Sequence, residues 1–397
     1  MNRSIKLAGL VASVSIAAVV AGALVAAQQT PTLAAASGSA GDAGDVKPID
    51  SVTSTTKPST TPSRPPGTTT SVTPATAVKL ALDLTKLKQG AAPKTSYLDG
   101  RTVRFGSTKF TLPASDGPVW TIARAGAADA LVLHSPNDSG KGSLTTWSNG
   151  HRGATVKDVS SVLSGTDRTT SAYAVQPTTA DGTELPRFTL VWRENSSGTT
   201  YSLQRTGEHG PIVHAVQGSE IYFSALSKSN KQTLYKWIAG DETPKTIGAV
   251  QSPSAVSSNL QLAASIVSTT NDGSCSTLVD LASGGKRWGT CEYAVDEILG
   301  GSSYALGGPA YRDGYGDGLF AALDLRTGKA VREWSGGSKV AIISTVMEDA
   351  NHILVLAEQG GKTAIARCAP KDGTCELALP LKPGTGDSDN RPYFLGR

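Results

Sequence analysis

Ser143-Leu144-Thr145-Thr146-Trp147, Phe188-Thr189-Leu190-Val191-Trp192 and Thr233-Leu234-Tyr235-Lys236-Trp237 are three versions of one phrase. Each is a short strand-like run that ends in tryptophan and leads into a glycine-containing turn. Successive tryptophans stand 45 residues apart. A fixed period of that size, carried by β-branched and aromatic residues, is the mark of one sheet unit repeated around an axis or along a stack.

The period continues where tryptophan does not. The runs Ser276-Thr277-Leu278-Val279-Asp280-Leu281 and Phe320-Ala321-Ala322-Leu323-Asp324-Leu325 both end in Asp-Leu before a glycine-containing turn. The next equivalent position is Cys368, so the series reads 147, 192, 237, 280, 324, 368. Counting back by 44 from Trp147 reaches Val103, in the middle of Tyr97-Leu98-Asp99-Gly100-Arg101-Thr102-Val103-Arg104-Phe105. Asp-Gly between two strand-like runs is a strong hairpin signal. That N-terminal unit lacks a first strand, and the chain's last run, Pro392-Tyr393-Phe394-Leu395-Gly396-Arg397, has the phase of one. The expectation is a seven-bladed β-propeller whose last blade is closed by strands from both ends of the sequence. Closure of that kind removes the exposed edges and end faces of an open array.

Composition agrees. The 397 residues include 43 glycines and 21 prolines with 39% hydrophobic residues, which suits a turn-rich all-β protein. Net charge is +4 and no basic stripe stands out, so nucleic acid is not an expected partner.

Three regions follow. Residues 1–36 hold Arg3 and Lys6 ahead of an uncharged, mostly apolar or small run from Leu7 to Ala27. Small-residue cleavage sites follow Ala27 and Ala36, so this is either a removed signal peptide or an uncleaved anchor. At about 1.5 Å per residue the run also reaches across a core of about 30 Å, and either fate places the remainder outside the cytoplasm. Residues 37–77 are rich in Ser, Thr and Pro and have no aromatic residue, the composition of a disordered stalk. Residues 78–397 are the propeller, entered through a lead-in with Leu80, Leu82, Leu84 and Leu87 that reads as an extended strand or a short surface turn.

The four cysteines form two pairs that bracket turns, Cys275 with Cys291 and Cys368 with Cys375. Positions equidistant from a hairpin turn face each other, so both pairs are expected as disulfides, consistent with export. No CxxC or histidine cluster points to a metal.

The Tyr97–Thr102 phrase, the repeats of roughly 44 residues and the closing Tyr393-Phe394-Leu395-Gly396 together resemble the WD40-like or TolB-like exported propellers of actinobacteria. The Trp-Asp dipeptide of true WD40 blades is absent. The resemblance covers residues 78–397 and implies a signal or anchor, a stalk and a secreted propeller. Most members have no assigned function, and no catalytic residue carries over.

Site chemistry is sparse. In Arg312-Asp313-Gly314-Tyr315-Gly316-Asp317-Gly318, Asp313, Asp317 and Gly318 match positions 1, 5 and 6 of a calcium loop. Position 3 is Tyr315, and positions 9 and 12 would be Ala321 and Asp324; a solvated or ligand-binding loop fits the glycines as well. His134, His151, His209, His214 and His352 are scattered, and Glu184, Glu220, Glu333 and Glu348 are the carboxylates an acid–base pair could draw on. No P-loop, HExxH or Gly-x-Ser-x-Gly is present. The tryptophans are expected to fill the wedges between blades. The function expected is therefore non-enzymatic: a monomeric module at the cell envelope, without cofactor, that binds a protein, peptide or glycan. It contacts the membrane only through an uncleaved N-terminal helix. A propeller hydrolase or lyase with carboxylates at the channel mouth is the alternative.

Overall fold

A computed structural model describes residues 77–135, 142–312, 315–386 and 391–397. The expected signal or anchor and nearly all of the stalk therefore lie outside the described residues. Among the described residues no helix is long and apolar enough to cross a membrane.

Seven sheets, each with four antiparallel strands, form a closed ring. Blades 1 to 6 take residues 119–157, 159–206, 208–251, 253–290, 293–335 and 340–383, each laid down in chain order from the axis outward. Blade 7 is composite. Tyr393–Leu395 is its innermost strand, followed by Tyr97–Asp99, Thr102–Phe105 and Thr108–Thr111. Tyr97 pairs with Leu395 and Asp99 with Tyr393, and each innermost strand touches the next until Tyr393–Leu395 meets Val119–Arg124. All seven positions of the periodic series lie on third strands.

The core is divided into seven apolar clusters, one per interface between neighbouring blades. In Asp129–His134, Ala130 and Val132 pack toward blade 7, while Leu131 and Leu133 pack toward blade 2. Both faces of such a strand are buried, so its middle is continuously apolar instead of alternating. The outermost strand of the same blade, His151–Lys157, is exposed along most of its length.

The lead-in takes a longer path than its leucines alone suggest. Val78–Ala81 adds to blade 5 as a fifth strand, parallel to Arg332–Ser335. Leu82 and Leu84 then bury themselves between blades 5 and 6. A short 3-10 turn, Leu84–Lys86, follows, with Asp83 accepting from the Thr85 N–H. Gln89 bridges to Leu377 on blade 6 before the chain enters blade 7. Arg367 pins this strap, donating to the carbonyls of Ala91 (2.9 Å) and Ala92 (3.0 Å), to both oxygens of Glu348 and to Glu376.

Both disulfides form as expected, Cys275–Cys291 and Cys368–Cys375. Cys368 and Cys375 are direct partners across their hairpin. On the loop-entropy model the longer loop contributes about 3 kcal/mol and the shorter about 2 kcal/mol.

The tryptophans do fill blade interfaces, though not all on the same side. Trp147 stacks on Phe110 of blade 7 at 4.8 Å, and Trp237 packs toward blade 2, so both face the preceding blade. Trp192 faces forward, donating from Nε1 to the Gly218 carbonyl of blade 3 at 2.8 Å. Where tryptophan gives way to aspartate, the position caps its own turn: Asp280 accepts from Ala282 and Ser283 N–H, Asp324 from Arg326 and Thr327 N–H.

Candidate functional site at the channel mouth

Six of the seven innermost strands carry a β-bulge, at Trp120, Ser160, His214, Ser254, Asp296 and Ile343. A bulge leaves one residue without a ladder partner and re-aims its side chain, so these positions form a ring of irregular backbone near the axis. Two of them are an imidazole and a carboxylate, His214 and Asp296.

Asp296 lies beneath the loop 310–318, which joins the second and third strands of blade 5. Arg312 folds back over Gly308 and donates from Nη2 to Asp296 Oδ2 at 2.5 Å. A Cβ at Gly308 would meet that guanidinium at 2.0 Å, so the close approach needs glycine there. Asp317 Oδ1 lies 3.7 Å from Arg312 Nε. The loop is tied to blade 6 by paired backbone bonds between Asp317 and Ile342. Burial alone would lower the Arg312 pKa, but Asp296 and Asp317 outweigh it and hold the guanidinium above its usual value. Burial raises the Asp317 carboxyl, with Arg312 opposing. The result is one cation held between two acids at the rim of the channel.

Deeper in, Glu297 reaches across to blade 6, where its Oε2 accepts the Met347 N–H at 2.9 Å. Burial pushes its pKa up, and the Arg397 charge and the Met347 bond pull the other way. His214 bonds Ser224 Oγ at 2.8 Å and is held down to about 4, by burial first and by Arg397 second. Blades 3, 5 and 7 thus contribute a histidine, a glutamate and an arginine, and the arginine's charge acts on both of the others. No local motif announced this, because the residues come from innermost strands and a terminus far apart in sequence.

On the same face, Val267, Tyr311 and Tyr315 are 58%, 54% and 56% exposed. The turns of blades 4 and 5 that carry or flank them are joined by the bond from Ser274 N–H to the Ala310 carbonyl, 3.0 Å. Tyr315 leans over blade 6 and donates to Glu358 Oε2 at 2.5 Å.

The residues singled out from sequence do not converge. Asp313 lies outside the described residues. Asp317 and Asp324 sit near opposite ends of the strand Leu319–Asp324, so they do not share a calcium loop. Arg312 also places a cation beside Asp317. The four glutamates are separately engaged: Glu184 with His209, Glu220 with Lys236, Glu333 with Tyr293, and Glu348 with Arg367. His352 joins Asp349 and Glu348 in a cluster that a metal could fit by distance. Lys94 and Arg367 already occupy those carboxylates, at 2.8 Å from Asp349 and 2.5 Å from Glu348.

No family model and no curated protein matches the chain. Among solved structures it is similar to the propeller domain of the trilobed protease of Pyrococcus furiosus, at 7% identity and TM-score 0.45, covering 74% of this chain and 86% of that one. An acylaminoacyl peptidase of Pyrococcus horikoshii matches at 11% identity and TM-score 0.48 over 70% of this chain; the match spans about half of that enzyme, 47%. An uncharacterized protein of Listeria monocytogenes matches at 10% identity and TM-score 0.44, covering 76% and 88% of the two chains.

Proposed function

We propose that the protein is an exported or membrane-anchored, non-enzymatic propeller of the WD40-like or TolB-like kind. In this reading it binds a protein, peptide or glycan of the cell envelope on the face that carries the 310–318 loop. The observation that carries the proposal is the exposed group Val267, Tyr311 and Tyr315 beside the rim arginine Arg312. Tyrosine and arginine are the residues most enriched where partner binding energy concentrates, and large exposed apolar side chains grouped on one face favour docking. The ring is closed and its loops are short, so the surface is presented without rearrangement.

Glycoside hydrolysis needs two carboxylates flanking an open site. At this mouth Asp296 and Asp317 hold Arg312 between them, which favours recognition over acid–base chemistry. The test is affinity capture from envelope fractions with the exported protein and with a Val267→Ser, Tyr311→Ser, Tyr315→Ser variant. Enrichment of a protein or wall polymer that the variant loses is the expected result. Equal capture by both, or release of sugar from the captured polymer, overturns it.

A further inference from the structure

On the opposite face, the turns between first and second strands of blades 2 to 5 each hold a left-handed residue. Blades 3 and 5 use glycine there, Gly218 (φ 55°) and Gly301 (φ 83°). The turns of blades 2 and 4 have matching hydrogen bonds, from Arg168 N–H to the Gly165 carbonyl and from Leu260 N–H to the Ser257 carbonyl, each 2.8 Å. Each places a side-chain-bearing residue in the left-handed region, Arg168 (φ 63°) and Leu260 (φ 59°). That conformation is unfavourable for any L-residue with a Cβ, and such outliers collect at functional positions. Leu260 has a packing reason, contact with the apolar cluster between blades 3 and 4. Arg168 is exposed and touches no such cluster.

The Arg168 side chain instead lines a cleft of about 490 Å³ between blades 1 and 2. Arg124 lines it too, fixed over the Phe105 ring at 5.0 Å and by bonds from Nε to the Gly126 carbonyl at 3.1 Å and from Nη2 to the Ala127 carbonyl at 3.5 Å. Thr169, Asn195 and Ser196 add polar groups to the wall. Two aspartates also border the cleft. Asp167 accepts from Thr169 N–H and Oγ1 within its own turn, and neither it nor Asp129 forms an ion pair with an arginine among the described residues. Burial first and the nearby Arg168 charge second hold the Arg124 guanidinium below its usual value.

We infer that this cleft is an oxyanion site, in which Arg124 and Arg168 clamp a carboxylate, phosphate or sulfate group of a small ligand. Guanidinium forks match such groups bidentately, and Arg124, partly buried and held by Phe105 and two carbonyls, is prepositioned for one. The site lies on the other face from the one assigned to partner binding and stands independently of it.

Arg168→Gly separates the two roles of the residue, since glycine relieves the backbone while removing the cation. Calorimetric titration of the protein with inorganic phosphate, sulfate and malonate at low salt, together with a melting curve, reads both. Wild type is expected to bind at least one probe, and which one identifies phosphate, sulfate or carboxylate chemistry. Arg168→Gly is expected to weaken binding at least tenfold while raising Tm by about 2 °C. Leu260→Gly is expected to leave affinity unchanged. Failure of wild type to bind any probe, equal affinity in Arg168→Gly, or a lowered Tm in that variant overturns the inference.

Discussion

Blade 6 is a single continuous stretch, 340–383, cross-linked by Cys368–Cys375 and built around long strands such as His352–Gln359. Blade 7, packed against it, has no such continuity. Its innermost strand is three residues long, Tyr393–Leu395, and joins a hairpin nearly the whole length of the propeller away in sequence. Blade 6 depends on local pairing and blade 7 on a long-range join with a high loop-closure entropy. The difference shows where the ring is weakest, and why the strap that leads into blade 7 is fastened first to its stronger neighbours.

The comparison predicts a large effect at the seam. Removing Pro392–Arg397 deletes the buried Tyr393 and Leu395 and opens an unpaired edge at Tyr97–Asp99. At about 1.5–3 kcal/mol for each buried side chain, the loss in a denaturant titration should reach about 5 kcal/mol. A deletion of equal length within the Ser/Thr/Pro-rich segment should change almost nothing. Similar costs for both would mean that the seam does not hold the ring.

A smaller effect is expected where the strap meets blade 6. Arg367→Ala leaves the fully buried Glu348 carboxylate facing only the Lys94 N–H, a loss of about 3–5 kcal/mol. Arg367→Met with Glu348→Leu removes both charges and should recover most of it. The remainder measures the bonds to the Ala91 and Ala92 carbonyls, and complete recovery would show that the strap is not held by them.

The smallest effect concerns pH. His214 titrates at about 4 in the fold against an ordinary 6.5, so the folded state binds fewer protons. Its stabilisation is present above pH 6.5 and is lost as pH falls from 6.5 toward 4. Glu297, pushed up by burial, acts oppositely: its contribution is present below the usual glutamate pKa and is lost as pH rises through the raised value. His214→Gln should therefore flatten the fall in denaturation midpoint between pH 6.5 and 4. An unchanged slope would remove His214 from the account.

Much of the ring was legible because strand phase, turn glycines and cysteine spacing survive in one dimension. The composite seventh blade followed from the phase of Val103 and of Pro392–Arg397, and both disulfides from turn symmetry. The facing of the tryptophans did not. Side chains alternate in strands with period two, so a one-residue slip turns a residue to the other face. Trp192 aligns, through Ala172, with Leu163, an odd number of residues past the bulge at Ser160. Trp147 and Trp237 align with Arg124 and Val216, an even number past Trp120 and His214. The bulged residues share no chemistry, so nothing in the sequence marks the slip. Arg312 over Asp296 was hidden for the same reason: the contact depends on a bulge and on Gly308, neither of which has a residue signature.

The parallel strand Val78–Ala81 has a mechanical consequence. Tension arriving along the chain from residues before 77 reaches the outer edge of blade 5 first, then the leucines wedged between blades 5 and 6, then the Arg367 clamp. A pull parallel to Val78–Ala81 loads its ladder bonds together in shear. The three-residue strand that closes the ring comes after all three in that line, so the seam is loaded only once they have yielded.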